Sequence, residues 1–248
     1  MTRWVRFRAA GGPPTDGVLD GDDVVAAGAR HALSSVRLLA PCQPTKLVCV
    51  GRNYLDHARE MGNELPREPL LFFKPPSSVI GPGDDIIYPP QSARVDYEGE
   101  LGVVIGERCR DVARARAFDV VRGYTIVNDV TARDLQETDI QWARAKGFDT
   151  FAPIGPCVVD GIDPGRLTIR TTLNGVERQR SSTELLIFDV PALIEYVTAA
   201  FTLEPGDVIS TGTPSGVGPM QPGDEVRVEI EGIGALVNRV ARPAAKAW

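Results

Sequence analysis

The chain has 248 residues, with 27 lysines and arginines against 33 aspartates and glutamates, for a formal net charge of −6. That length predicts one large domain with at most a small appendage and a core that needs no crosslinks, and the negative balance, with no Lys/Arg block, excludes a nucleic-acid footprint. No stretch approaches the ~20 apolar residues of a membrane span, and arginines interrupt the opening MTRWVRFR, so it lacks a signal-peptide core. Cys42, Cys49, Cys109 and Cys157 form no C-x-x-C pair, which predicts reduced, buried thiols in a soluble, cytoplasmic chain.

In chain order, residues 4–9 alternate and are followed by Gly-Gly-Pro-Pro, Asp16-Gly17 and Asp20-Gly21, the punctuation of a small β meander. Residues 1–45 are therefore expected to be a small N-terminal β unit ending in the linker Ala40-Pro-Cys-Gln-Pro-Thr45, with the main domain over 46–248. Lys46–Gly51 is a buried-strand candidate; Asn53 is placed to cap the next turn, and a brief helix is expected to end at Gly62-Asn63. Further strand candidates are Leu70–Phe73, Leu101–Ile105, Tyr124–Val127, Pro156–Val159, Leu167–Leu173, Val208–Thr211 and Glu225–Ile230. Helices are expected at about 132–146 and 190–201, the second opened by Pro191, and Asn174-Gly175 marks a type I′ hairpin. The fold class is mixed α/β and β-rich, with few short helices.

The sharpest chemical pattern is Asp96-Tyr-Glu98-Gly-Glu100, two acids two residues apart where an apolar strand begins. Residues i and i+2 of a strand share a face, so Glu98 and Glu100 are neighbours; Gly99 leaves room for close approach. Asp129 closes another apolar run. Carboxylates at strand ends are either solvated or neutralised by a cation, and three of them offer only hard oxygen donors, which suit Mg²⁺ or Mn²⁺, or Ca²⁺. His57 and Glu60 stand at i and i+3 of the expected short helix, where they either form an exposed pair or make the imidazole a better base. Lys146 enters a Gly/aromatic stretch, Gln136 follows Asp129 by seven residues, and Gly212-Thr-Pro-Ser-Gly216 is glycine-rich without the lysine of a phosphate loop. By themselves these acids also fit a calcium-binding β module with no enzymatic activity.

Taken in order, Gly51-Arg-Asn-Tyr-Leu-Asp-His-Ala-Arg-Glu60, Phe73-Lys-Pro, Asp96-Tyr-Glu-Gly-Glu-Leu101, Asn128-Asp-Val-Thr-Ala-Arg-Asp-Leu-Gln136, Ala145-Lys-Gly-Phe-Asp-Thr150 and Thr211-Gly-Thr-Pro-Ser-Gly-Val-Gly218 resemble the fumarylacetoacetate hydrolase superfamily, especially its acylpyruvase-like branch. The resemblance covers about 46–242 and implies a β-roll, a homodimer, and Mg²⁺ or Mn²⁺ on Glu98, Glu100 and Asp129. It implies His57 and Glu60 as an acid–base dyad, Lys146 and Gln136 as stabilisers of an oxyanion, and Arg52, Lys74 and Thr213 around the substrate's carboxylate and carbonyl oxygens. The implied activity is carbon–carbon hydrolysis of acylpyruvates through a metal-stabilised enolate. The same stabilised enolate would serve an oxaloacetate decarboxylase, and a related dienolate a 2-hydroxyhepta-2,4-diene-1,7-dioate isomerase.

Overall fold

After Glu100 the sequence Leu-Gly-Val-Val-Ile carries no charge, and a strand apolar on both faces is stable only when both are covered. All seven residues of the strand Gly99–Ile105 are buried. It pairs antiparallel with Val121–Asn128 on one side and Val208–Ser210 on the other, within a 12-stranded sheet. The computed structural model describes residues 1–55 and 66–244. Among these, a five-stranded and a three-stranded sheet complete a mixed, strand-rich roll with short helices, the expected fold class. The main apolar core lies between the large and five-stranded sheets, where Leu101 and Val103 meet Ile169, Val228 and Leu236.

The N-terminal strands extend the large sheet. Arg3–Ala9 pairs with Ala152–Val159, setting Arg3 opposite Val159 and Trp4 opposite Val158. The expected linker is pinned at its end, since the backbone N–H groups of Thr45 and Lys46 donate to Asp207 Oδ1 at 2.8 and 3.1 Å. All four cysteines are buried and free, as their spacing suggested.

Most apolar runs become strands within a residue or two of their expected limits: Leu47–Gly51, Leu70–Lys74, Thr168–Leu173 and Glu225–Ile230. Asn174 and Gly175, with φ of 51° and 78°, make the predicted hairpin turn. The helix Val190–Ala200 also matches; Asp189 caps it by accepting from Ala192 N at 2.9 Å, and Val190, Leu193, Ile194 and Val197 face the core at helical spacing.

One local expectation is corrected. The single helix expected over 132–146 is two, Arg133–Thr138 and Ala143–Gly147. Thr138 and Asp139 end the first: the Thr138 hydroxyl donates back to the Asp134 carbonyl, Asp139 turns extended, and Ile140 is left fully exposed, so no apolar stripe joins the pieces. The turn that Asn53 was expected to cap runs into residues outside the described ones; the Asn53 side chain is buried, donates to the carbonyls of Phe188 and Thr211, and accepts from Phe188 N, stapling two distant loops. The brief helix expected up to Gly62-Asn63 lies outside the described residues.

Candidate metal centre

The register of the central pair brings the acids together. Gly99 lies opposite Asn128 and Glu100 opposite Val127, so the end of the strand Val121–Asn128 delivers Asp129 beside Glu98. Two further hydrogen bonds lock this corner: Asp129 N donates to the Glu98 carbonyl at 2.8 Å, and Glu98 N donates to Asn128 Oδ1 at 3.0 Å. Glu98, Glu100 and Asp129 are all buried, and each offers an oxygen within 4.8 Å of the others. This all-oxygen donor set fits a hard divalent cation such as Mg²⁺, Mn²⁺ or Ca²⁺. The glycine between the two glutamates has a different reason from the one expected. A Cβ on Gly99 would lie 2.4 Å from Thr171 Oγ1 and 2.9 Å from Val228 Cγ1, so the five-stranded sheet requires it.

Electrostatics set each group's state. Burial, and then Asp129 and Glu98, push the Glu100 carboxyl well above the usual range, although its Oε2 accepts from the Ser210 hydroxyl at 2.5 Å and from Gly212 N at 2.9 Å. Lys146 Nζ donates to Glu98 Oε2 at 2.9 Å and Asp129 Oδ2 at 2.6 Å. Burial works against its charge, but Asp129 and Glu98 outweigh that and raise its pKa. The reverse holds for Lys74, where burial prevails over Asp129 and lowers the pKa.

A cavity of about 260 Å³ opens above the acids. Its lining includes Arg52, Gln136, Lys146 and Thr213, all singled out from sequence. Arg52 takes a left-handed φ of 59°, a conformation costly for a side chain other than glycine. Phe72 and Trp142 form an apolar wall, in edge-to-face contact with centroids 5.5 Å apart. Lys74 does not belong to this lining. Its ammonium is buried behind it, donates to the carbonyls of Val130, Lys146 and Phe151 at 2.6–2.9 Å, and lies 2.7 Å from Asp129 Oδ1. With three protons so engaged, it has none for the substrate oxygens it was expected to meet. His57 and Glu60 lie outside the described residues.

Two residues not singled out from sequence support the site: Arg133 in the cavity wall and Gln179 bonded to it through Thr213. Arg133 lines the cavity and donates to Asp96 Oδ2 at 2.9 Å, and also to Glu98 and Gln136. Burial opposes its charge, yet Glu98 and Asp96 raise its pKa. Its i, i+3 spacing to Gln136 was the available signal. Gln179, buried in an otherwise largely exposed strand, bonds to both Gly99 and Thr213. No sequence pattern marks it.

A buried carboxylate trio under a small cavity, on a strand-rich roll, defines a class of β proteins able to hold a divalent cation. Residues 46–241 match the family described as fumarylacetoacetate (FAA) hydrolase C-terminal. A structure of 2-hydroxyhepta-2,4-diene-1,7-dioate isomerase from Mycobacterium marinum superposes with a TM-score of 0.91 at 41% identity, covering 99% of this chain and 100% of that one. Maleylpyruvate hydrolase from Sphingobium sp. SYK-6, in complex with manganese(II) and pyruvate, superposes with a TM-score of 0.84 at 32% identity, covering 98% and 100%. A mitochondrial oxaloacetate tautomerase of Bos taurus is 45% identical over 220 residues, 84% of this chain and 70% of the relative. The chain belongs to the fumarylacetoacetate hydrolase family of enzymes.

Proposed function

We propose that this protein is a Mg²⁺- or Mn²⁺-dependent enzyme of small 2-oxo and enol acids, and that it hydrolyses the carbon–carbon bond of acylpyruvates. The observation that carries the reading is the convergence of Glu98, Glu100 and Asp129 within 4.8 Å beneath a cavity lined by Arg52, Arg133 and Lys146. Those three acids would hold the ion; when bound, it supplies a Lewis acid that polarises the 2-oxo acid. Arg52 and Gln136 bind and orient the anionic substrate, and the Phe72–Trp142 wall excludes water from one side. Lys146, already charged between two carboxylates, offers its ammonium to oxygen that gains negative charge. His57, backed by Glu60, accepts a proton from the attacking water; this step rests on the sequence spacing and the family resemblance. The family resemblance also supports a homodimer acting on small molecules of aromatic-compound catabolism; the formal net charge of −6 supports a protein without a nucleic-acid partner, and four free, buried thiols fit the cytoplasm.

Isomerisation or tautomerisation is the second reading, and a specific observation favours it: an isomerase and a tautomerase relative are 41% and 45% identical, against 38% and 32% for two hydrolases. One panel separates the two. Acylpyruvates, oxaloacetate and 2-hydroxydienoates are assayed with Mg²⁺ or Mn²⁺, with and without chelator. The expected result is acylpyruvate cleavage that chelator abolishes and that His57→Ala lowers by roughly 100-fold or more. Tautomer exchange without cleavage moves the assignment to the second reading; turnover that resists chelator, or none at all, sinks both.

A further inference from the structure

Gln179 fixes the direction of a hydroxyl in the cavity wall. Its amide has two neighbours that admit only one hydrogen-bond sense. The Gly99 N–H can only donate, and does so to Gln179 Oε1 at 3.1 Å. The Pro214 carbonyl can only accept, and Gln179 Nε2 donates to it at 2.9 Å. A flipped amide would set N–H against N–H and oxygen against oxygen, so these contacts decide which end carries the oxygen. The second Nε2 proton then goes to Thr213 Oγ1, 2.8 Å away. Thr213 must send its own proton elsewhere, and the Gly99 carbonyl, which can only accept, receives it at 2.9 Å. A hydroxyl has one proton and two lone pairs. With the proton and one pair engaged, a lone pair is what this side chain retains for the cavity that Thr213 lines.

We propose that Thr213 is a hydrogen-bond acceptor toward the ligand, and that it selects acids carrying a hydroxyl, as an enol or a 2-hydroxy acid, over acids that present only carbonyl and carboxylate oxygens. Gln179 is the positioning residue that imposes this, through Thr213 and without touching the ligand. The inference rests on the proposed binding of small 2-oxo and enol acids, and it inverts the role expected of Thr213, that of meeting a carboxylate or carbonyl oxygen. An oxygen without a proton facing that lone pair leaves two acceptors opposed, whereas a hydroxyl satisfies it; buried sites discriminate strongly on this difference. Of a keto–enol pair, this side chain therefore favours the enol.

Two measurements test it. In the first, Mn²⁺-loaded wild type, Thr213→Val and Thr213→Ser are titrated calorimetrically with glycolate, lactate, oxalate and pyruvate. Each variant is compared with wild type for the same ligand, so differences in chelation cancel. The Thr213→Val variant is expected to lose roughly tenfold in affinity for the two hydroxy acids and less than about twofold for oxalate and pyruvate, with Thr213→Ser near wild type. Equal loss across the four, loss confined to oxalate and pyruvate, or no loss for any overturns the proposal. In the second, neutron diffraction on deuterium-exchanged wild-type crystals is expected to place the Thr213 deuteron on the line to the Gly99 carbonyl; a deuteron aimed into the cavity overturns it. Should wild type bind none of the four acids, the functional reading fails, while the neutron result still decides the direction of the hydroxyl.

Discussion

Lys74 is a cation with no exposed surface, three carbonyl acceptors and a carboxylate, and that arrangement predicts how its loss is felt. Removing one partner of a buried ion pair leaves the other uncompensated and costs about 3–5 kcal/mol. Lys74→Met should lower unfolding free energy by about 3 kcal/mol or more in urea titrations, and should couple with Asp129→Asn by about 1 kcal/mol or more in a double-mutant cycle. A variant of normal stability whose only defect is a raised KM would instead place the ammonium against substrate. The contrast marks how far the site is legible at this scale. Glu98, Glu100 and Asp129 are legible because i, i+2 spacing and strand-end position survive folding unchanged. The aim of Lys74 is not, because it depends on Val130, Lys146 and Phe151, which only the tertiary fold brings around it. Arg133 reads as one more charge on a helix until Asp96 and Glu98 are seen to hold it.

The strand Gly99–Ile105 turns Glu100 into the trio and packs Gly99 against the five-stranded sheet, so one element carries both a candidate ligand and packing. A Cβ at Gly99 would need Thr171 and Val228 to move, and overpacking of this kind costs about 1–3 kcal/mol. Gly99→Ala should therefore unfold at lower denaturant, and Thr171→Ala added to it should recover part of the loss. That rescue is favoured because the Thr171 hydroxyl is buried without a hydrogen-bond partner among the described residues, so deleting it removes an uncompensated polar group. If Gly99→Ala were neutral, the close approach of the two sheets would not be what requires glycine there. Strands were legible because apolar runs bounded by Gly, Pro and Asp persist as strands here. The break in the helix expected over 132–146 was not, because Thr138 and Asp139 are compatible with a helix surface, and only the fold shows Asp139 turning extended and Ile140 left in solvent.

Over the whole molecule, Asp207 ties the N-terminal segment to the large sheet. Its carboxylate accepts from Thr45 N, the Thr45 hydroxyl, Lys46 N and Glu204 N, and pairs with the Lys46 ammonium, while its neighbour Val208 begins the strand parallel to Leu47–Gly51. The sequence showed a Pro-Gly-Asp turn at 205–207 and a proline-flanked linker at 40–45; that one clasps the other follows only from the fold. Burial alone would raise the Asp207 pKa, but hydrogen bonds from Glu204, Lys46 and Thr45 overcome it and hold the pKa below the usual carboxylate value. An acid depressed in the folded state binds fewer protons there than in the unfolded chain, so its stabilisation is complete above the unfolded pKa of about 3.9 and fades as pH falls through the folded value. Asp207→Asn removes the charge and sets an amide N–H against backbone donors. It should cost about 1.5–3 kcal/mol at pH 7, the range for hydrogen bonds to a charged group. Urea unfolding of both proteins at pH 7, 5, 4 and 3 should show a gap that is constant from pH 7 to pH 5 and narrows below about pH 4. A gap that stays the same down to pH 3 would mean that the carboxylate's charge does not hold the junction, and that packing around residues 40–46 does.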